Sequence, residues 1–243
     1  MRYSLIIPAY NESARIGATL DMVVGYIAQQ RCDAEVLVVN DGSRDDTASI
    51  VRRYASSHPQ IRLLENQGNR GKGYSVRHGM MEAIGDYLLF SDADLSAPLD
   101  EAAKLFAALD RGADVAIGSR WLNPELQTVR QPLYRQLFGR IFNLLLRLVL
   151  RLKFRDTQCG FKAFRREAAR KVFPLQKIER WAFDPEILYL ARHFGYRIEE
   201  VPVRWSHDSG TRLHPVRDGF VMAGEVLRIR WYSLTGAYRP PSA

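Results

Sequence analysis

The chain has 243 residues, 47% apolar and 26% charged, ordinary proportions for a soluble globular protein able to bury a sizeable core. Its two cysteines, Cys32 and Cys159, exclude a disulfide framework or a cysteine-rich zinc site and suit a reducing cytoplasm. The net charge of +8 calls for anionic partners, whether nucleic acid, an acidic lipid surface or phosphorylated small molecules.

The apolar run to Ile7 is broken by Pro8 and followed by polar residues, which predicts a strand and not a secretory signal. No stretch reaches the ~20 apolar residues of a spanning helix. Residues 3–7 predict a buried strand, 8–12 a turn, and 13–27 a helix with Ile16, Leu20, Val23, Val24 and Ile27 at helical spacing. A second strand over 35–39 ends in Asn40-Asp41-Gly42-Ser43, and Asp45 and Asp46 open a helix to about Ser57. A strand over 61–64, a glycine-rich turn, a helix over 72–84 and a strand over 87–90 follow. A helix over 99–111 and a strand over 113–118 complete the alternation, which specifies a mainly parallel sheet flanked by helices. From Ser119 the composition shifts: Arg120, Arg130, Arg135, Arg140, Arg147, Arg151, Lys153, Arg155 and Lys162 crowd a region poor in acids. The expected organisation is one continuous domain over 1–243, with a nucleotide half to about 118 and an acceptor half over about 119–236. The last six residues, from Tyr238, predict a loose tail.

The strand over 87–90 delivers Asp92 and Asp94, one residue apart, to the sheet's carboxyl edge, where open α/β sheets keep their ligands. Two carboxylates held that close repel each other, and a hard divalent cation shared with phosphate oxygens relieves the repulsion. The alternative is that both merely lead into the next helix, with Pro98 at its start and Asp100 and Glu101 in its first turn. Two further turns, Pro8-Ala9-Tyr10-Asn11-Glu12 and Asn40-Asp41-Gly42-Ser43, reach the same edge. An aromatic ring, acceptors for base and ribose, and a metal-binding pair together suit a nucleoside diphosphate.

The motifs PAYNE, NDGS, GNRGKGYSV, SDADLSAP and GSR resemble those of the family 2 inverting glycosyltransferases of GT-A fold. DTQCGFKAF from Asp156, ERWAFDPE from Glu179, and VPVRW followed by GTRLHP are similar to the branch that makes polyprenyl-phosphate sugars, especially the dolichyl-phosphate β-glucosyltransferases. The resemblance covers about 3–232. It implies that Pro8, Tyr10, Asn11, Glu12, Asp41, Lys72, Asp92 and Ala93 hold the nucleotide and that Asp92 and Asp94 bind Mg²⁺ or Mn²⁺. It also implies that Arg120, Arg135, Arg204 and Arg212 surround the acceptor and diphosphate. Relatives usually carry Gly-Ser-Lys where this chain has Gly210-Thr211-Arg212, so the point-like Lys charge is replaced by a planar one. The stretch around Lys72 lacks P-loop spacing.

Asp184 has two readings: the catalytic carboxylate that a hydroxyl acceptor would need, or a cap on a helix over 186–193. Cys159 reads as a small packed residue. His207 and His214 sit in a polar loop with Asp208 and Gly210. In LFGRIFNLLLRLVLRL, residues 137–152, Arg140, Asn143, Arg147 and Arg151 form one stripe on an otherwise apolar helix, which predicts contact with a membrane surface. The alternative is a core or subunit contact. The expected activity is transfer of a hexose, glucose from UDP-glucose, to a polyprenyl or dolichyl phosphate, by an enzyme peripheral on the cytoplasmic face of a membrane. GDP-mannose as donor or a saccharide hydroxyl as acceptor is the alternative within the family. A basic binding module without catalysis is the alternative outside it. Arginines interleaved with Leu and Ile, not with stacking aromatics, argue against a nucleic-acid partner.

Overall fold

The computed structural model describes residues 2–129, 133–206 and 215–239, with the backbone alone described at 128, 129, 133–138 and 215–218. In chain order, β1 (Tyr3–Ala9), α1 (Ile16–Gln30), β2 (Ala34–Asn40), α2 (Thr47–Ser57), β3 (Ile61–Glu65), α3 (Lys72–Glu82) and β4 (Tyr87–Ser91) form the alternating first part. A short 3-10 turn at Leu99–Glu101 leads to α4 (Ala102–Asp110) and β5 (Val115–Ser119). The second part comprises β6 (Gln127–Val129), α5 (Leu133–Val149), β7 (Phe161–Arg165), α6 (Arg166–Val172) and α7 (Phe183–His193). It closes with β8 (Ile198–Pro202), β9 (Trp205–Ser206) and α8 (Pro215–Leu234).

Seven strands form one sheet in the order β3-β2-β1-β4-β7-β5-β8, and β6 pairs with β9 separately. β1 to β4 pair in parallel, as do β5 and β8, whereas β7 runs antiparallel between β4 and β5. The expected mixed, mainly parallel sheet is therefore present. Because β7 is reversed, its amino end lies beside the carboxyl end of β4, and Phe161 pairs with Ser91. The loop before β7 is thereby brought to the edge that carries Asp92.

Both faces of the sheet are buried, and strand periodicity assigns alternate residues to two cores. Ile6, Leu37, Val39, Leu88, Phe90, Ile117 and Phe164 join one core, packed against α3, α6, α7 and part of α5 and α8. Leu5, Ile7, Val36, Val38, Leu89, Ala116 and Ala163 join the other, covered by α1, α2 and α4. Each fully buried Leu, Ile or Phe contributes about 1.5–3 kcal/mol of apolar transfer.

Two expectations are corrected by packing. Tyr238 is not part of a loose tail: it is buried, and its hydroxyl donates to Glu186 Oε1 at 2.6 Å. The helix expected over 137–152 starts earlier and closes at Val149, after which Arg151 adopts a left-handed φ of 56°. Its apolar residues divide between two surroundings. Leu146, Leu150 and Leu152 are buried in the core, while Ile141, Leu144 and Leu148 are exposed. Phe220, Leu227, Trp231 and Leu234 of α8 are exposed as well.

Candidate active site

The first two βα turns are tied together by short polar side chains, each supplying what a tight turn leaves unsatisfied. The Asn11 N–H donates to Ser43 Oγ at 2.9 Å, and the Arg44 N–H donates to Asn11 Oδ1 at 2.8 Å. The Glu12 N–H donates to Thr47 Oγ1 at 2.8 Å, and Asp45 accepts from the Ser13 N–H at 3.0 Å and from the Thr47 hydroxyl at 2.5 Å. Asp41, at the end of β2, fixes the glycine-rich turn before α3. Its carboxylate accepts from Asn66 Nδ2 at 2.8 Å and from the Arg70 and Gly71 N–H groups at 2.9 and 2.8 Å. Gly71 has a φ of 109°, and a Cβ there would stand 2.5 Å from the Glu179 carbonyl oxygen, so only glycine fits.

These turns and the end of β4 line one cavity of about 340 Å³. Pro8, Tyr10, Glu12, Asp41, Lys72, Asp92, Ala93 and Asp94 all face it. Asn11 instead serves the junction between the turns. Lys72 is the first residue of α3, and its ammonium pairs with Asp92 Oδ1. Burial opposes that charge, but Asp92, Asp184 and Asp94 outweigh it and raise the ammonium pKa above its ordinary value. Burial and the adjacent Asp92 push the Asp94 carboxyl upward, although its Oδ1 accepts from the Ser96 N–H at 2.9 Å. The Ala93 carbonyl between them is held by the Thr19 hydroxyl at 2.6 Å. Two oxygen-donor side chains whose proximity disfavours double ionisation suit a hard divalent cation. Among the described residues, no group of three or more His, Cys, Asp or Glu gathers into a metal site.

Beneath this cavity lies a buried ion pair. Lys162 is wholly buried at the centre of the sheet, pairs across strands with Phe90 and Ile117, and places its Nζ 5.3 Å from the Phe90 ring centroid. It donates to the Cys159 carbonyl at 2.5 Å and to Asp184 Oδ1. Asp184 stands in the first turn of α7, but its carboxylate turns to Lys162, so the capping reading is corrected. Burial pushes the Asp184 carboxyl upward against the opposing pull of Lys162 and Lys72. Burial also pushes the Cys159 thiol up to about 12, in keeping with a packed residue.

Arg120 and Asp156 form a second pair. Nε and Nη2 of Arg120 donate to the two carboxylate oxygens at 2.7 and 2.8 Å, and the guanidinium lies 5.2 Å from the Trp205 ring centroid. Burial works against both charges, yet the pairing raises the Arg120 pKa and holds the Asp156 carboxyl below the usual carboxylate range. Ser119 Oγ and Gln158 Nε2, close by in the chain, are buried and have no hydrogen-bond partner among the described residues. Arg204 stands apart, with Nε donating to Glu101 Oε1 at 2.6 Å and its Nη2 paired with Asp100. Arg135 lies on α5, with its side chain outside the described residues. Arg212, His207, His214, Asp208 and Gly210 are outside them altogether.

Sequence reasoning about the turns missed Arg15, Asn69, Arg180 and Trp181, which also face the cavity. It also passed over Lys162 as anything but bulk charge. A lysine between two phenylalanines in an apolar strand was the available signal, since a charge there needs a buried partner.

Comparison with known proteins bears on this geometry. Glycosyl transferase family 2 matches residues 4–173. The chain is 38% identical to a dolichyl-phosphate beta-glucosyltransferase of Drosophila melanogaster, over 98% of this chain and 77% of that protein. It is 34% identical to the human dolichyl-phosphate beta-glucosyltransferase, over 97% of this chain and 77% of that protein. In three dimensions it resembles glucosyl-3-phosphoglycerate synthase from Mycobacterium tuberculosis in complex with UDP, with a TM-score of 0.67 and 20% identity over 100% of this chain and 82% of that one. That likeness shows the GT-A fold. The match across most of the chain settles the classification: the protein belongs to glycosyl transferase family 2 and is a hexosyltransferase.

Proposed function

We propose that this enzyme transfers glucose from UDP-glucose to a polyprenyl (dolichyl) phosphate, with inversion, while resting on the cytoplasmic face of a membrane through residues 137–152. The observation that carries this reading is the cavity where Asp92 and Asp94 meet the tied turns of Tyr10, Glu12 and Asp41. Tyr10 and the nearby polar groups hold the nucleoside. Asp92 and Asp94 would hold Mg²⁺ or Mn²⁺, and Lys72, paired with Asp92, would add positive charge beside them. The ion, when bound, supplies positive charge to the departing diphosphate. A related fold has been solved with Mn²⁺, UDP-glucose and phosphoglyceric acid, at 20% identity.

The acceptor follows from proton balance. A phosphate monoester has its second pKa near ~6, so at pH 7 its oxygen is already a nucleophile. It attacks the anomeric carbon, the bond from that carbon to the diphosphate oxygen breaks, and the electron pair leaves with the nucleoside diphosphate. No proton moves. Asp184, buried and paired with Lys162, suits such a reaction better than one needing an exposed base. Arg120 and Arg135 supply donors to the acceptor phosphate.

The test is incubation with Mn²⁺, polyprenyl phosphate and a panel of labelled nucleotide sugars, followed by extraction of the lipid phase. Label from UDP-glucose in that phase is expected. Label from GDP-mannose alone overturns the donor, and label only in free saccharides overturns the acceptor.

A further inference from the structure

A second cavity of about 370 Å³ is lined by Trp121, Pro124, Arg140, Asn143, Leu144, Arg147 and Arg155. It shares no lining residue with the cavity at Asp92. Arg140, Asn143, Leu144 and Arg147 fall at i, i+3, i+4 and i+7 along α5 and so occupy one face of it. Arg155 is brought to that face by its backbone. Its carbonyl accepts from Asn143 Nδ2 at 2.6 Å, and its N–H donates to Glu200 Oε2 at 3.0 Å. Among the described residues, none of these three guanidinium groups has an ion pair with Asp or Glu. No acidic residue occurs in the sequence between Glu125 and Asp156, so the local chain provides no counter-ion. Ion pairs elsewhere in the molecule are frequent, and these cations are conspicuous in sharing a pocket without one.

The occupant must offer concentrated negative charge and tolerate apolar surroundings. Guanidinium forks match phosphate oxygens, and an indole in the lining, that of Trp121, suits a membrane headgroup layer. Leu144 borders the cavity, and Ile141 and Leu148 lie exposed along the same helix, a combination a free anion does not use. We infer that this pocket is a headgroup site for an anionic phospholipid, distinct from the acceptor and donor sites. The phosphodiester is held by Arg140, Arg147 and Arg155, and the acyl chains run past Leu144 and Leu148. The inference rests on the membrane-surface reading and gives that surface a lipid preference. It orients the protein on the bilayer by a defined contact, where a diffuse basic face would leave that orientation unset.

The test is co-sedimentation of the full chain with vesicles of phosphatidylcholine alone or mixed with phosphatidylglycerol, backed by calorimetric titration with a short-chain phosphatidylglycerol below its micelle concentration and with inorganic phosphate. The variants are Arg140→Gln/Arg147→Gln, Arg155→Gln, and Arg151→Gln as a control outside the pocket, each checked for an unchanged melting curve. Arg155→Gln is expected to lose about twentyfold or more in affinity for the anionic vesicles and Arg140→Gln/Arg147→Gln about a hundredfold or more, against the roughly fivefold of a diffuse charge for Arg151→Gln. Turnover with a detergent-dispersed acceptor stays unchanged, and calorimetry shows saturable binding of the lipid but not of phosphate. Equal losses for Arg151→Gln mean diffuse attraction and overturn the site. Phosphate binding as tight as lipid binding makes it a free-anion site, and a raised KM for polyprenyl phosphate makes it part of the acceptor site; either result overturns the inference. Wild-type protein that binds neither vesicle removes the membrane-surface reading as well. Binding to both vesicles alike, abolished by Leu144→Glu/Leu148→Glu, removes the headgroup site alone.

Discussion

A Cβ on Gly160 would stand 2.2 Å from Oδ2 of Asp92, so the metal-binding carboxylate proposed here occupies space that only a glycine leaves open. The antiparallel pairing of Phe161 with Ser91 sets these two residues side by side. Gly160→Ala is expected to turn the Asp92 side chain away while leaving the fold intact, because the clash is with the end of a side chain. Displacement by about an ångström costs on the order of 10² in turnover. Kinetics together with Mn²⁺ titration by electron paramagnetic resonance checks this, and wild-type metal affinity in the variant would refute it.

Asp94→Asn removes a charge that repels Asp92 in the absence of metal, so the melting temperature is expected to hold or rise. Turnover is expected to fall by about two orders of magnitude or more, reflecting the several kcal/mol a metal contributes to developing phosphate charge. Chelation with EDTA should reproduce the loss in wild-type protein. Near-normal turnover in EDTA counts against the metal assignment.

Lys162 and Asp184 differ in what their loss does. Lys162→Met strands a buried carboxylate and is expected to cost about 3–5 kcal/mol of stability. The double variant Lys162→Met/Asp184→Leu should recover most of that, because an apolar pair of similar volume is tolerated. Denaturant unfolding reads both. Asp184→Asn keeps the acceptor oxygen for Lys162 and is expected to reduce turnover only mildly below its melting temperature, whereas Arg135→Ala raises the KM for polyprenyl phosphate. Abolished turnover in Asp184→Asn with Arg135→Ala silent would instead mark a hydroxyl acceptor.

Asp45 couples the first two βα turns to pH. Burial would raise its carboxyl, but hydrogen bonds from Thr47 and Ser13 outweigh it and lower the pKa to about 2. A pKa depressed below the unfolded value of ~3.9 stabilises the fold above that value, and the contribution is lost as pH falls toward the folded one. Asp45→Asn is therefore expected to be less stable at pH 6, with the gap to wild type closing between about pH 4 and 2. Asp45 is exposed, so the gap is small. Urea unfolding across that range measures it, and a gap independent of pH would assign the coupling to neutral hydrogen bonds.

Leu144→Glu/Leu148→Glu is expected to release the protein from anionic vesicles without unfolding it, since both side chains are exposed. Leu145 is unsuitable for the same experiment because it packs against the core. Vesicle binding that persists while the hydrodynamic radius falls would show that this face joins subunits.

Much of the first half was legible in the sequence. Strands β1, β2 and β4 carry continuous apolar runs, and the Asn, Asp and Gly residues after them punctuate the chain where a parallel sheet keeps its ligands. Those are local properties, so Tyr10, Glu12, Asp41, Asp92 and Asp94 could be assigned to one edge before any coordinates. The family motifs were equally legible, and they carried the resemblance to the dolichyl-phosphate β-glucosyltransferases. Partnership was not legible. Whether Asp184 caps a helix or meets Lys162, whether Tyr238 trails in solvent or closes on Glu186, and which leucines of α5 face the core depend on contacts between residues far apart in the chain. The reversal of β7 decided the first of these. One antiparallel register sets Gly160 against Asp92 and Lys162 beneath the cavity, and a one-residue slip would put Lys162 on the opposite face of the sheet.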